Sequence, residues 1–268
     1  VGEGGVAVLY FAYRLILFPL GIFGNSLSQV ILPTFSTQAL EDNYEKLRQT
    51  FSFGLRAIFF VMLPASIGFM VLAYPIISTL FKGGRFDTYS VLLTASALRF
   101  YSIGLFAYGS TKILQSCFFA LKDTFTPTKV AFLNLILNII LNISLIIPLK
   151  LAGLALATSI SSIITTLILF SILSKRLGFV HTKLIFLSFM RILCASICMG
   201  LVCYFISQRG IFLGSYGLAK VLNLAIMIIS SLISYVIFCF VFKVEEVREI
   251  WQWVSKKGLA LSLNRLDR

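Results

Sequence analysis

Acidic side chains are missing from every long apolar run of this sequence. The chain has 268 residues and ten Asp and Glu. They are Glu3, Glu41, Asp42, Glu45, Asp87, Asp123, Glu245, Glu246, Glu249 and Asp267, and all lie in polar connections, at ends or in the tail. That excludes a proton relay or acid–base pair built from carboxylates inside the spans. Histidine occurs once, as His181, with no Cys or acid at ligand spacing. Ser110 and Lys112 are two residues apart, and such residues do not face each other on a helix, so they make no Ser–Lys dyad. The five cysteines all sit in apolar runs and form no CxxC, so they read as small apolar residues. Gly83 and Gly84 form a turn with no Lys-Ser/Thr after them, which excludes a phosphate-binding loop. Nothing here composes a catalytic site.

Hydrophobic residues are abundant. They make up 59% of the chain, charged residues 12%, and the mean hydropathy is +0.97. Soluble domains carry about a quarter charged residues. The apolar residues fall in blocks of about 20, the length that crosses a hydrocarbon core of about 30 Å. Seven spans are expected, near 6–32, 55–80, 89–119, 130–147, 151–173, 184–206 and 218–242. The fold class is an all-α, polytopic membrane helix bundle; a barrel would show short alternating strands instead. The third block is long and should tilt or protrude. Residues 1–176 hold five spans and 177–243 two more. The polar stretch 244–268 reads as a basic tail, with a surface helix over 244–254 that sets Trp251 and Trp253 near the headgroups.

The net charge of +13 sits beside spans, so topology and anionic lipid account for it, and nucleic acid is not expected. With seven spans, alternate connections can be compared. Fourteen Lys and Arg fall on the side of Lys46, Lys122, Lys175 and the tail, and five on the side of Lys82, Arg85, Lys150, Arg209 and Lys220. The positive-inside rule places the richer side in the cytoplasm, with Arg268 inside and Val1 outside. An outside Val1 leads to the expectation of further spans upstream.

Four cations lie in or at the edge of spans: Arg14, Arg99, Lys112 and Arg191. A cation in hydrocarbon costs at least ~2.5 kcal/mol, so each needs a partner or a wet cavity. Arg191 opens its span, where snorkelling suffices. Lys112 follows Gly109, Ser110 and Thr111, a hydrated face. Arg14 precedes Pro19, Gly21 and Gly24, which loosen a helix and free backbone groups around cavities. With no acid in the spans, these cations await an external acid or an anionic ligand, and an arginine fork suits phosphate. Asn134, Asn138 and Asn142 recur every four residues and share one helix face. The next span brings Thr158, Ser159, Ser161 and Ser162. Two readings stand open: hydrogen bonds between helices, or a small-cation site of hard oxygen ligands.

Four stretches then show a resemblance: "YRLILFPLGIFGNSLSQVILP" (13–33), "LPASIGFMVLAYPIISTLFKGGRFD" (63–87), "CFFALKDTFTPTKV" (117–130) and "GLALATSISS" (153–162). Together they resemble the MurJ/MviN lipid II flippases, over residues 6–176. The last two spans match in length and hydropathy only. The resemblance implies the C-terminal half of a fourteen-helix flippase in a bacterial cytoplasmic (inner) membrane. Its last two helices would line a groove for the lipid tail. The expected partners are lipid II, membrane lipid and an N-terminal lobe in cis or trans. The substrate, an undecaprenyl-pyrophosphate-linked disaccharide-pentapeptide, would move from inner to outer leaflet by alternating access. Arg14 falls on the family's cavity arginine that contacts the pyrophosphate, with Lys112 and Arg99 as further substrate-binding candidates. The residue before Arg14, often Asp in the family, is Tyr13. Asn138, Asn142 and Thr158 fall on positions where some members bind sodium; Asn142 replaces an Asp, so any site is weak. No other cofactor is expected. The alternatives are an exporter of another polyprenyl-linked glycan or of drugs, and a non-transporting remnant.

Overall fold

The computed structural model describes residues 5–41, 43–84, 86–178, 182–208 and 218–247. Among these the chain is built of helices: α1 (Gly5–Pro19), a π-helical segment (Leu20–Asn25), α2 (Ser26–Leu40), α3 (Tyr44–Phe81), α4 (Thr88–Ile103), α5 (Leu105–Ala120), α6 (Phe125–Arg176), α7 (Thr182–Gln208) and α8 (Leu218–Val241). His181, Arg85, Arg209, Trp251 and Trp253 lie outside the described residues, as does the expected surface helix beyond residue 247.

The first expected span is one continuous rod from Gly5 to Leu40. Its buried face repeats at helical spacing, through Val8, Ala12, Ile16 and Pro19. Pro19 lacks the N–H that an α-helix would use and crowds the preceding turn. The rod responds by widening into the π-helical segment directly after it. α3 is the central helix. It packs against α2, α4, α5, α7 and α8. Phe51, Leu55, Ile58 and Met62 lie fully inside on it, against Phe35 of α2 and Phe118 of α5.

The expected third span over 89–119 corresponds to two helices, α4 and α5, rather than one straight one. The chain bends by 43° between α4 and α5, at Gly104. The cause is close approach. A Cβ on Gly104 would lie 2.8 Å from Ser159 Cα and 2.9 Å from the Tyr108 ring. Only glycine lets α6 come so near. Ser159 Oγ then donates to the Phe100 carbonyl at 2.7 Å, supplying a donor where the helix breaks.

The fourth and fifth spans appear within α6, whose backbone turns at Lys150 (φ 51, ψ −128). The two arms, 125–149 and 151–176, run back along each other. Thr165 Oγ1 donates to Asn134 Oδ1 at 3.0 Å, and Asn138 Nδ2 donates to Ser161 Oγ at 3.2 Å. Five helices are long and apolar enough to cross a membrane, and the bent α4–α5 pair passes the same test when its two helices are taken together. The reversal at Lys150 divides α6 into two crossings, which gives the seven expected. α7 and α8 coincide with the spans expected at 184–206 and 218–242.

Polar caps close the ends. Asn43 accepts from the Lys46 N–H, Asp87 from the Ser90 N–H, and Asp123 from the Phe125 and Thr126 N–H groups. The Thr126 N–H holds the Asp123 carboxyl below its ordinary value, against the opposing effect of burial, with further help from the Thr126 hydroxyl and Arg176. Asp123 thereby ties the start of α6 to Arg176 at its end.

The hairpin depends on Gly153. A Cβ there would lie 2.2 Å from the Leu145 carbonyl oxygen, a backbone atom with no room to yield. Gly153→Ala should therefore destabilise the protein by roughly 1–3 kcal/mol, the usual cost of overpacking. Equilibrium unfolding in detergent checks this, with Gly68→Ala as control because no atom lies within 4 Å of a Cβ at that position.

Candidate functional site: a polar cavity between α1, α5 and α6

A cavity of about 310 Å³ lies between the start of the chain, α5 and both arms of α6. Tyr13, Leu17, Leu20 and Asn25 form one wall, Tyr108, Thr111, Lys112 and Gln115 a second, and Asn134, Ser162 and Thr165 a third. Helical spacing explains the second wall. Residues 108, 111, 112 and 115 share one face of α5, while Gly109, Ile113 and Leu114 turn into the core. Threonine hydroxyls join α5 to α6, with Thr111 and Thr166 Oγ1 atoms 2.8 Å apart.

Lys112 is half-buried on this wall, and it makes no ion pair or hydrogen bond with a described residue. Its charge is therefore open to a ligand. Of the three expected substrate-binding cations, the structure brings only Lys112 into the cavity lining. Arg14 is exposed on α1, where it donates to the Tyr10 hydroxyl, and its guanidinium lies 5.5 Å from the centre of the Tyr10 ring. Its neighbour Tyr13 is in the cavity wall, so Arg14 stands beside the cavity. Arg99 is exposed on α4.

Asn138, Asn142 and Thr158 do come together. Asn138 Nδ2 donates to Thr158 Oγ1 at 3.4 Å, and Asn142 Nδ2 donates to Asn138 Oδ1 at 2.8 Å. This set does not fit a cation cage. All its groups are neutral, and Asn138 turns N–H rather than oxygen toward both hydroxyls. Only Asn142 Oδ1 is a buried acceptor without a hydrogen-bond partner. A cation would have to displace the bonds already made.

Sequence reasoning missed two features. One is an apolar groove of about 450 Å³ between α3, α7 and α8, lined by Phe60, Pro64, Phe69, Met199, Leu232 and Tyr235 among others. The resemblance had implied a groove near the last two helices, but not that α3 forms a wall of it. The other is an ion cluster built around a buried pair, Arg56 and Glu246. Arg56, 8% exposed, pairs with Glu246 at 3.2 Å and Glu245 at 3.5 Å. Arg191 pairs with Glu245 at 3.2 Å, and Ser188 donates its hydroxyl to Glu246. Its signal was Arg56, counted with the connections although the expected span opens at residue 55, and a Glu pair just past the last span.

The comparisons with known proteins bear on this arrangement. The lipid II flippase MurJ family model matches residues 1–226. The chain belongs to the MurJ family of lipid II flippases. The family match extends past residue 176, into α7 and the start of α8. A Haemophilus influenzae relative, named probable lipid II flippase MurJ, is 32% identical over 203 residues, covering 74% of this chain and 40% of the relative. The Burkholderia cenocepacia lipid II flippase MurJ is 32% identical over 176 residues, covering 66% of this chain and 34% of that one. A solved lipid II flippase MurJ in an inward closed conformation superposes with a TM-score of 0.75 at 29% identity, over 92% of this chain and 49% of that chain. This MurJ-family chain therefore spans about half or less of the length of the relatives it matches. It is a multi-pass membrane protein.

The amide trio makes a checkable statement about energetics. Asn138→Ala removes three hydrogen bonds between and along the arms, each worth about 0.6 kcal/mol in a membrane protein. The expected loss of stability is roughly 1–2 kcal/mol. It should be the same in sodium and potassium salts; a stabilisation of the native protein specific to sodium, lost in Asn138→Ala, would restore the cation reading.

Proposed function

We propose that this chain forms one lobe of a lipid II flippase and supplies one wall of the path along which the lipid-linked headgroup crosses the membrane. The observation that carries this is Lys112. It is a cation without a counter-charge, set in a cavity of hydroxyls and amides inside an apolar bundle. That environment suits a phosphate-bearing headgroup, which brings its own negative charge and many acceptors. Arg14, one residue beyond the Tyr13 wall, would meet the same group from the rim. The groove between α3, α7 and α8 is apolar and suits the polyprenyl chain. The cytoplasmic membrane is the site of action in this reading, and no covalent step is required. A second lobe, in cis or in trans, would close the cavity, in keeping with a chain that covers 49% of its solved relative.

The reading is tested by co-expressing the chain with a cognate N-terminal half in cells depleted of their own flippase. Growth should return, and the chain alone should not restore it. Lys112→Ala and Arg14→Ala should each weaken headgroup binding about tenfold or more, the scale of a lost charge-assisted bond. Arg14→Lys should recover only part, because a planar fork becomes a point charge. Full growth with the double Lys112→Ala, Arg14→Ala variant would remove both residues from the substrate path. Failure of every combination, with the proteins present in the membrane, would favour the remnant reading.

The orientation belongs to the same reading, with the Lys175 end cytoplasmic and the Ser207 end external. Single cysteines at Ser207 and Lys175, in a background without other cysteines, report on it. An impermeant thiol reagent added to intact cells should label the first and not the second. The reverse pattern would invert the topology.

A further inference from the structure

Glu246 lies just past α8 and is 3% exposed, yet only one of its two oxygens is occupied. Oε1 takes Arg56 at 3.2 Å and the Ser188 hydroxyl. Oε2 is buried and has no hydrogen-bond partner. An ionised carboxylate offers about four lone-pair sites, and a buried acceptor left empty is rare in folded proteins. Glu246 also lines a pocket of about 350 Å³ whose other walls are almost wholly apolar, among them Ile22, Val30, Phe53, Ala57 and Phe60. Several of these walls are exposed in the chain; Val30 is 71% exposed and Phe53 44%.

The pocket has a direction. Its carboxylate end belongs to the cluster of Arg56, Glu245 and Arg191, and Arg191 also reaches the Lys243 carbonyl at 3.4 Å. The charges gather just past the end of α8, beside Arg56 within α3 and Arg191 within α7, and such a concentration marks headgroup depth. Phe60 and Val61 lie a turn or more deeper along α3. Together with Phe23 they also border the neighbouring apolar groove. The occupant must be apolar along most of its length and must donate a hydrogen bond, preferably a charged one, at its end. A pyrophosphate head is disfavoured, because it would set its negative charge against Glu246.

We propose that this pocket is a binding site for an amine-headed phospholipid, with the ammonium on Glu246 Oε2 and an acyl chain along Phe53, Ala57 and Phe60. The site is separate from the polar cavity and does not depend on lipid II being the substrate. The lipid would bridge the first rod, α3 and the segment after α8, and so would couple the two additional helices to the rest of the bundle.

The purified chain in detergent tests this by native mass spectrometry. The probes are phosphatidylethanolamine and phosphatidylglycerol with identical acyl chains. Retention of the ethanolamine lipid should exceed that of the glycerol lipid about tenfold, the scale of one charge-assisted hydrogen bond. Glu246→Gln should bring the two near parity, with helix content by circular dichroism unchanged. Ala57→Phe fills the apolar floor and leaves the ion cluster intact; it should lower retention of both lipids. If Glu246→Gln fails to fold, Ala57→Phe decides alone. Equal retention of the two lipids by the native chain would overturn the proposal, as would a preference unchanged in both variants. Competition by undecaprenyl phosphate that Ala57→Phe abolishes would also overturn it, by making the pocket an extension of the substrate groove.

Discussion

Inside hydrocarbon, a backbone carbonyl released by a helix break has no water to turn to. At the 43° bend between α4 and α5, the answer is Ser159. Its hydroxyl reaches the Phe100 carbonyl at 2.7 Å and the Tyr101 carbonyl at 3.2 Å, and Ser66 of α3 reaches the Ser102 carbonyl. Both donors need close approach, and Gly104 permits it from the α6 side. The bend therefore fixes where the second arm of α6 lies. With Ser159 pinned, Ser162, Thr165 and Thr166 fall opposite Thr111 and Asn134. The polar cavity follows from that register, so a backbone constraint at one elbow sets the geometry of a site several residues away.

The charges divide into two regimes. Around Arg56 of α3, acids are present, and Arg56 is buried against two of them. Breaking such a pair from one side is costly, because it leaves the other charge buried and uncompensated. In the cavity no acid is near, and Lys112 remains unpaired among polar neutral groups. Structural cations need a counter-charge supplied by the fold. A cation kept without one, in a space large enough to admit a ligand, is suited to receive its counter-charge from outside.

The helices were legible in the sequence because hydrophobic blocks of bilayer length are a strong signal, and the helices fall close to those blocks. The bend at Gly104 was not. One glycine in an apolar run gives no hint of the neighbour that comes close to it, and Ser159 lies 55 residues away. The amide stripe was legible as one face, and its partners came from the hydroxyls named for it. Whether those groups turn oxygen or N–H toward one another is decided by the register of the two arms, which periodicity cannot supply. Lys112 was expected on a hydrated face with Gly109, Ser110 and Thr111; Thr111 shares the lining with it, while Gly109 and Ser110 turn into the core. Arg14 was expected in the cavity, but the lining holds its neighbour Tyr13, one step round the helix, which the resemblance could not distinguish. The role of Arg56 was obscured because its partners lie about 190 residues further on, beyond the last span.

The π-helical segment brings these threads to one place. Leu20 and Asn25 form part of the polar cavity, Ile22 and Phe23 part of the pocket that ends on Glu246, and Phe23, with Pro19 before it, part of the groove against α7 and α8. Successive residues of a single turn thus face all three spaces. An α-helical turn advances about 100° per residue, and a π-turn advances less. The extra residue that Pro19 admits therefore sets which side chain points into which space. Any change in the register of this turn would move Asn25 in the polar cavity and Phe23 in the apolar ones together. A headgroup in one space and an acyl chain in another would in this way meet side chains of the same segment.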